Sequence, residues 1–174
     1  MSKRAKSAVD KARKTGIKKK FYITSPAGWG LVELLPKIDM ATRVLMDLFA
    51  NDGLEIEDYK AQKAILREYI EGIDSWTQNA FEMIFHKNIK NDFNLKIHSE
   101  YIKSNKMIYC NTELAVDAYK SFVKCDALNR CLMHGLRYEV ITEEEYAKKN
   151  KKINTIMANC KAYVSNLLIS LNRE

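Results

Sequence analysis

Nine of the first twenty residues are cationic: Lys3, Arg4, Lys6, Lys11, Arg13, Lys14, Lys18, Lys19 and Lys20, set against one acid, Asp10. The chemistry such a cluster supports is polyanion binding. Each cation that neutralises a phosphate releases a condensed counterion, and engaging about six of these groups on duplex DNA would give a log–log salt slope near −5. Such contacts position a protein without reading sequence. Arginine, the side chain best suited to guanine, contributes only Arg4 and Arg13 to the cluster. The charge is also segregated. The whole chain carries a formal net charge of +7, and the first 20 residues alone amount to +8. The other 154 residues hold 20 cations and 21 anions, a net of −1. The sequence therefore predicts a basic N-terminal arm, residues 1–20, joined to an electrically balanced body, residues 21–174.

The expected partner of the arm is the phosphate backbone of a nucleic acid. An acidic protein surface is the alternative. An anionic membrane fits less well, because the arm's apolar stripe (Ala5, Ala8, Val9, Ala12) offers no bulky residue to insert. No run of 18 apolar residues occurs, so no membrane-spanning helix is expected. No apolar stretch follows the basic residues as a secretory leader requires. With four cysteines and no such leader, a cytoplasmic setting with reduced thiols is expected. Lysine outnumbers arginine 22 to 7, a bias of AT-rich genomes such as those of many phages.

Other reactive residues form no recognisable constellation. Cys125-x5-Cys131-x2-His134, with Cys110, raises the question of zinc. Structural zinc sites favour closely spaced cysteine pairs in loops, which are lacking here, so packing is the expected role of these thiols. His86, His98 and His134 are scattered, and His134 suits a helix C-terminus. Glu143, Glu144 and Glu145 suit a helix N-terminus for the converse reason. No phosphate-binding loop, dinucleotide fingerprint or zinc-protease motif is present. The expectation is a protein without catalytic residues, cofactor or metal. Trp29, between Gly28 and Gly30, is a candidate partner anchor if it does not plug the core.

These residues must be positioned by helices. Two prolines and six glycines are too few for a turn-rich β fold, so the predicted class is mainly α, with about five or six helices. A short helix is expected in the arm over 2–15, capped by Ser2. Ser25-Pro26 and Gly28-Trp29-Gly30 read as a hinge. Helices follow over about 40–50 (capped by Asp39), 56–71 and 75–87, the last opened by a Ser75/Gln78 capping box after a break at Gly72. A further helix over 113–134 would end at Gly135. An uninterrupted core helix describes this stretch better than a helix-turn-helix, since no turn glycine divides it. Phe21–Thr24, KMIYC (106–110) and RYEVIT (137–142) are strand candidates for a minor β-element. Thr142 and Glu145 form a second capping box. Behind it, Ile153, Cys160 and Leu167 recur every seven residues, as do Met157, Val164 and Leu171. A stripe this long requires a terminal helix of about 42 Å. Its width, with Ile156 and Tyr163, favours packing within the chain, and self-association through 143–172 is the alternative.

Overall fold

Buried apolar residues at three- and four-residue intervals define four long helices among the described residues. The computed structural model describes residues 19–21, 26–86, 106–108, 110 and 112–172. Helix α1 spans Pro26–Ala50, α2 Ile56–Phe85, α3 Glu113–Arg137 and α4 Glu143–Leu171. Two three-residue strands, β1 (Lys19–Phe21) and β2 (Lys106–Ile108), pair antiparallel with Lys20 opposite Met107. The helix expected over 2–15 and the ambiguous FNLKI stretch lie outside the described residues.

Four helices lie among the described residues, and where their boundaries differ from those expected the difference has a physical cause. Pro26 stands at the first helical position of α1, where its fixed φ suits a helix and its missing N–H is no loss. Gly28, Trp29 and Gly30 therefore belong to the helix, and the expected hinge does not form. Leu31, Leu34, Leu35, Ile38, Ala41 and Leu45 continue one buried stripe, so Asp39 is mid-helix, bonded to Arg43 at 2.9 Å. Pro36 forgoes one backbone hydrogen bond on the exposed side of this helix.

Gly72 does not divide α2. Its position is exposed, and Leu66, Ile70, Ile73, Thr77, Ala80 and Ile84 keep an unbroken stripe past it. A mid-helix glycine costs about 1 kcal/mol, less than the burial of Ile73 or Ile84 returns at roughly 1.5–3 kcal/mol each. Ser75 is consequently inside the helix, and no capping box forms there.

Helix α3 is continuous, as expected, and lies deepest in the core, with Leu114, Phe122, Cys125, Leu128, Cys131 and Leu132 all fully covered. Thr112 caps it by accepting a hydrogen bond from the Ala115 amide. Its end corrects two expectations. Gly135 is inside the last turn, packed so closely that a Cβ there would lie 3.3 Å from Ile141. The left-handed residue is Glu139 (φ 57), and the Val140 amide closes onto the Gly135 carbonyl at 2.8 Å. This Schellman closure occupies the residues that read as a third strand. Asp52 (φ 56) closes α1 in the same way, with Gly53 N–H bonded to Leu48 at 2.8 Å.

The Thr142/Glu145 capping box opens α4, as the sequence predicts. Ile153, Cys160, Val164, Leu167 and Leu168 are buried against the chain's own helices. The closest packings are α2 with α3 and α1 with α3, followed by α2 with α4 and α1 with α4. Helices consecutive in sequence, α1 with α2 and α3 with α4, pack least and are therefore diagonal to one another. Residues 67 and 74 of α2 meet 113–117 and 124 of α3, so these two helices run parallel. Tyr163 meets Tyr69 and the Gln62 carbonyl, whereas Lys148 and Lys152 meet Trp76 and Met83, so α4 runs antiparallel to α2. No described helix is long and apolar enough to cross a membrane.

Candidate nucleic-acid interface

The cations named from the sequence fall in two places. Lys3, Arg4, Lys6, Lys11, Arg13, Lys14 and Lys18 lie outside the described residues. Lys19 and Lys20 belong to β1, opposite Ile108 and Met107. Trp29 is on α1 and 41% exposed, so it does not plug the core.

The Cys125, Cys131 and His134 arrangement is a packing arrangement. Burial pushes the Cys131 and Cys160 thiols up to about 12 and, with Asp39 adding to it, Cys110 up to about 11. Cys125 is raised further, by burial first and by Asp126 second. Such thiols stay protonated near neutral pH and do not supply the thiolates that zinc or nucleophilic chemistry needs. His134 is half-buried and stacks on Tyr138. Among the described residues no cluster of His, Cys, Asp or Glu could hold a metal ion.

The body's charges are ordered by helix pair. Between α2 and α3, Arg67 bonds Glu113 at 2.6 Å and Asp117 at 3.2 Å, Lys63 approaches Glu113 at 3.7 Å, and Lys124 meets Asp74 at 2.9 Å. The Arg67 hydrogen bond holds the Glu113 carboxyl below its usual range and raises the guanidinium in return. Inside α3, Arg130 donates from Nε to Asp126 at 3.2 Å, both groups buried. Asp126 lies against the first turn of α1, where a Cβ on Gly28 would be 2.6 Å from its Oδ1. That turn has no acid of its own, so α3 lends it a carboxylate where the helix dipole favours one.

The opposite side of α2 differs. Trp76, Asn79, Ala80 and Met83 of α2 and Glu145, Lys148, Lys149 and Lys152 of α4 line a groove of about 330 Å³. A second hollow of about 240 Å³ shares Lys148 and Lys152 and adds Lys151, Thr155 and Ile156. None of Lys148, Lys149, Lys151 and Lys152 has a carboxylate within 4.0 Å among the described residues. By contrast Arg43, Lys60, Lys63, Arg67, Lys120, Lys124, Arg130 and Lys161 each have one. Sequence reasoning missed this cluster because charge was summed over the whole body, where the acids of α2 and α3 cancel it. The available signal was the stretch AKKNKK (147–152), directly behind the capping box. On a helix its lysines fall at i, i+1, i+3 and i+4, and cover one side.

No protein-family model, curated protein or solved structure matches the chain.

Proposed function

We propose that this is a non-enzymatic accessory protein that holds nucleic acid, without sequence preference, through its basic arm. The helical body in turn docks a protein partner. The observation that carries this reading is charge segregation: +8 on residues 1–20 and −1 on the rest. Such an arm binds by releasing counterions, so its grip weakens steeply with salt and not with base sequence. The predominance of lysine supports that view, since lysine is a point charge and lacks the planar fork that arginine presents to guanine.

The test is retention on duplex DNA at 50 mM salt. The wild type is compared with a full-length variant carrying glutamine at Lys3, Arg4, Lys6, Lys11, Arg13, Lys14 and Lys18. Retention lost in the variant, with the helical circular-dichroism spectrum unchanged, is the expected result. Indifference of the wild type to both DNA and RNA contradicts the reading.

One observation favours a second reading, an interaction or assembly module whose arm enters an acidic protein groove. Trp29, Pro36 and Met40 are exposed and share one face of α1, with Trp29 at 41% and Met40 at 48%. A tryptophan and a methionine on an outer face suit a protein contact. Under this reading acidic polypeptides, and not DNA, compete for the arm.

A further inference from the structure

We propose that the groove between α2 and α4 is a second nucleic-acid contact, one that takes a single-stranded segment. Its phosphates would lie on Lys148, Lys149 and Lys152 and a base against Trp76 and Met83. This rests on the reading above that the partner is a nucleic acid.

Three features of the groove point to this occupant. The first is charge without compensation. Lysines on a helix surface are commonly paired or dispersed, as they are between α2 and α3. Here Lys148, Lys149, Lys151 and Lys152 crowd about one turn of α4, and among the described residues no carboxylate lies within 4.0 Å of any of them. Among the described residues Glu145 is the one acid lining the groove, and its carboxylate accepts a hydrogen bond from the Thr142 amide in the capping box. Four like charges in one turn repel each other, and an anion relieves that repulsion.

The second feature is the apolar side of the groove. Trp76 is half-buried, which fixes its ring, and Met83 is 58% exposed beside it. A fixed aromatic beside a polarisable thioether is a stacking platform for a base of any identity. A base in a duplex is already stacked on its neighbours, so only a single strand offers one. The volume, about 330 Å³, is at the lower limit of small-molecule sites and suits one nucleotide unit.

The third is the type of cation. Recognition of carboxylates on an acidic peptide favours the bidentate fork of arginine. The groove holds lysines alone, which track a phosphate backbone by charge. Lys148 and Lys152 are one turn apart, about 6 Å along the axis, so successive phosphates can meet successive turns.

The chain has two tryptophans, so Trp29→Phe leaves Trp76 as the sole indole fluorophore in the full-length protein. Trp29 is exposed enough for phenylalanine to be accepted there. The probe is a single-stranded dT oligonucleotide at 50 mM salt, with total binding followed separately by fluorescence anisotropy of a label on the oligonucleotide. Saturable quenching of Trp76 is expected. Adding Lys148→Gln, Lys149→Gln and Lys152→Gln should weaken it on the order of 100-fold, the loss expected for three phosphate contacts at this salt. These lysines make no ion pair among the described residues, so the helical spectrum should not change.

The outcomes separate the two proposals. Anisotropy that reports binding while Trp76 emission stays constant, with the triple variant binding as tightly as its parent, overturns the groove and leaves the arm standing. Quenching that persists at full affinity when the seven arm cations are glutamine supports the groove and removes the arm. Equal quenching by polyglutamate overturns the nucleic-acid assignment in favour of an acidic protein segment. No binding by either readout overturns both.

Discussion

The two long sides of α2 use charge in opposite ways. Toward α3, Lys63, Arg67 and Asp74 meet Glu113, Asp117 and Lys124 across the helix pair, and Ser121 donates to the Ile70 carbonyl beneath them. Toward α4, Trp76 and Met83 face Lys148, Lys149 and Lys152, none of which has a carboxylate within 4.0 Å among the described residues. The first side is closed: its charged groups pair across to the partner helix, and it encloses Leu66, Ile70 and Ile73. The second has charge and apolar surface left over. The same residue type, lysine, thus pairs across helices in one place and stands without a carboxylate partner among the described residues in the other. A net charge summed over the body conceals the difference.

Several substitutions sharpen or break this contrast. The largest effect belongs to the enclosed stripe. Leu66→Ala, at a fully covered position, should lower unfolding free energy by about 2–5 kcal/mol in urea denaturation. A value near that of a surface change would mean that the α2–α3 side is not closed.

Two glycines inside helices come next, with opposite signs. Gly28→Ala places a Cβ 2.6 Å from Asp126 Oδ1, against a buried carboxylate that has no room to retreat. It should destabilise by about 1–3 kcal/mol. Gly72→Ala meets nothing within 4 Å and gains helix propensity, so it should stabilise by about 0.5–1 kcal/mol. Thermal unfolding of both variants checks the pair, and destabilisation by Gly72→Ala would show that α2 is not a single helix through that point.

A smaller effect concerns acid. Arg67 holds the Glu113 carboxyl below its usual range, so the folded state binds this proton less readily than the unfolded chain does. The pair's contribution is present above the ordinary glutamate value of about 4.3 and is lost as pH falls below it. Glu113 is exposed and Arg67 only half-buried, so solvent screens the pair and the loss is modest. Glu113→Gln should flatten the acid limb of the stability–pH curve by lowering neutral stability by that same modest amount, with stability in acid unchanged. An acid limb equally steep in that variant would remove Arg67–Glu113 as its cause. Smallest of all, glutamine at Lys148, Lys149 and Lys152 should change stability by less than about 0.5 kcal/mol, because no folded-state partner is lost. A clear loss would mean that these lysines serve the fold after all.

How much of this was legible in the sequence differs along the chain. Helix α4 was readable because its capping box and its seven-residue recurrence agree. Helix α3 was readable through its unbroken apolar repeat, although Gly135 was assigned to the wrong role. It is there to admit Ile141, a contact made across a turn that no local pattern shows. The errors at Pro26, Gly28, Gly30 and Gly72 share one cause. Each was weighed as local punctuation, worth about 1 kcal/mol for a glycine. Tertiary burial on both flanks is worth several times more. The groove was half visible. AKKNKK stood in the sequence, but its neighbours on α2, some seventy residues earlier, become neighbours only once α4 runs antiparallel to α2. Trp76 is half-buried, and no local pattern shows that its remaining surface faces these lysines.

The most direct test of the central claim, that unpaired lysines serve a ligand and paired ones serve the fold, is a salt titration. Binding of the full-length protein to a single-stranded dT oligonucleotide is measured from 50 to 200 mM salt, with and without glutamine at Lys148, Lys149 and Lys152. The account predicts a log–log slope shallower by about 2 in the variant, three phosphate contacts at roughly 0.7 each on a single strand. Superimposable slopes for the two proteins would contradict it.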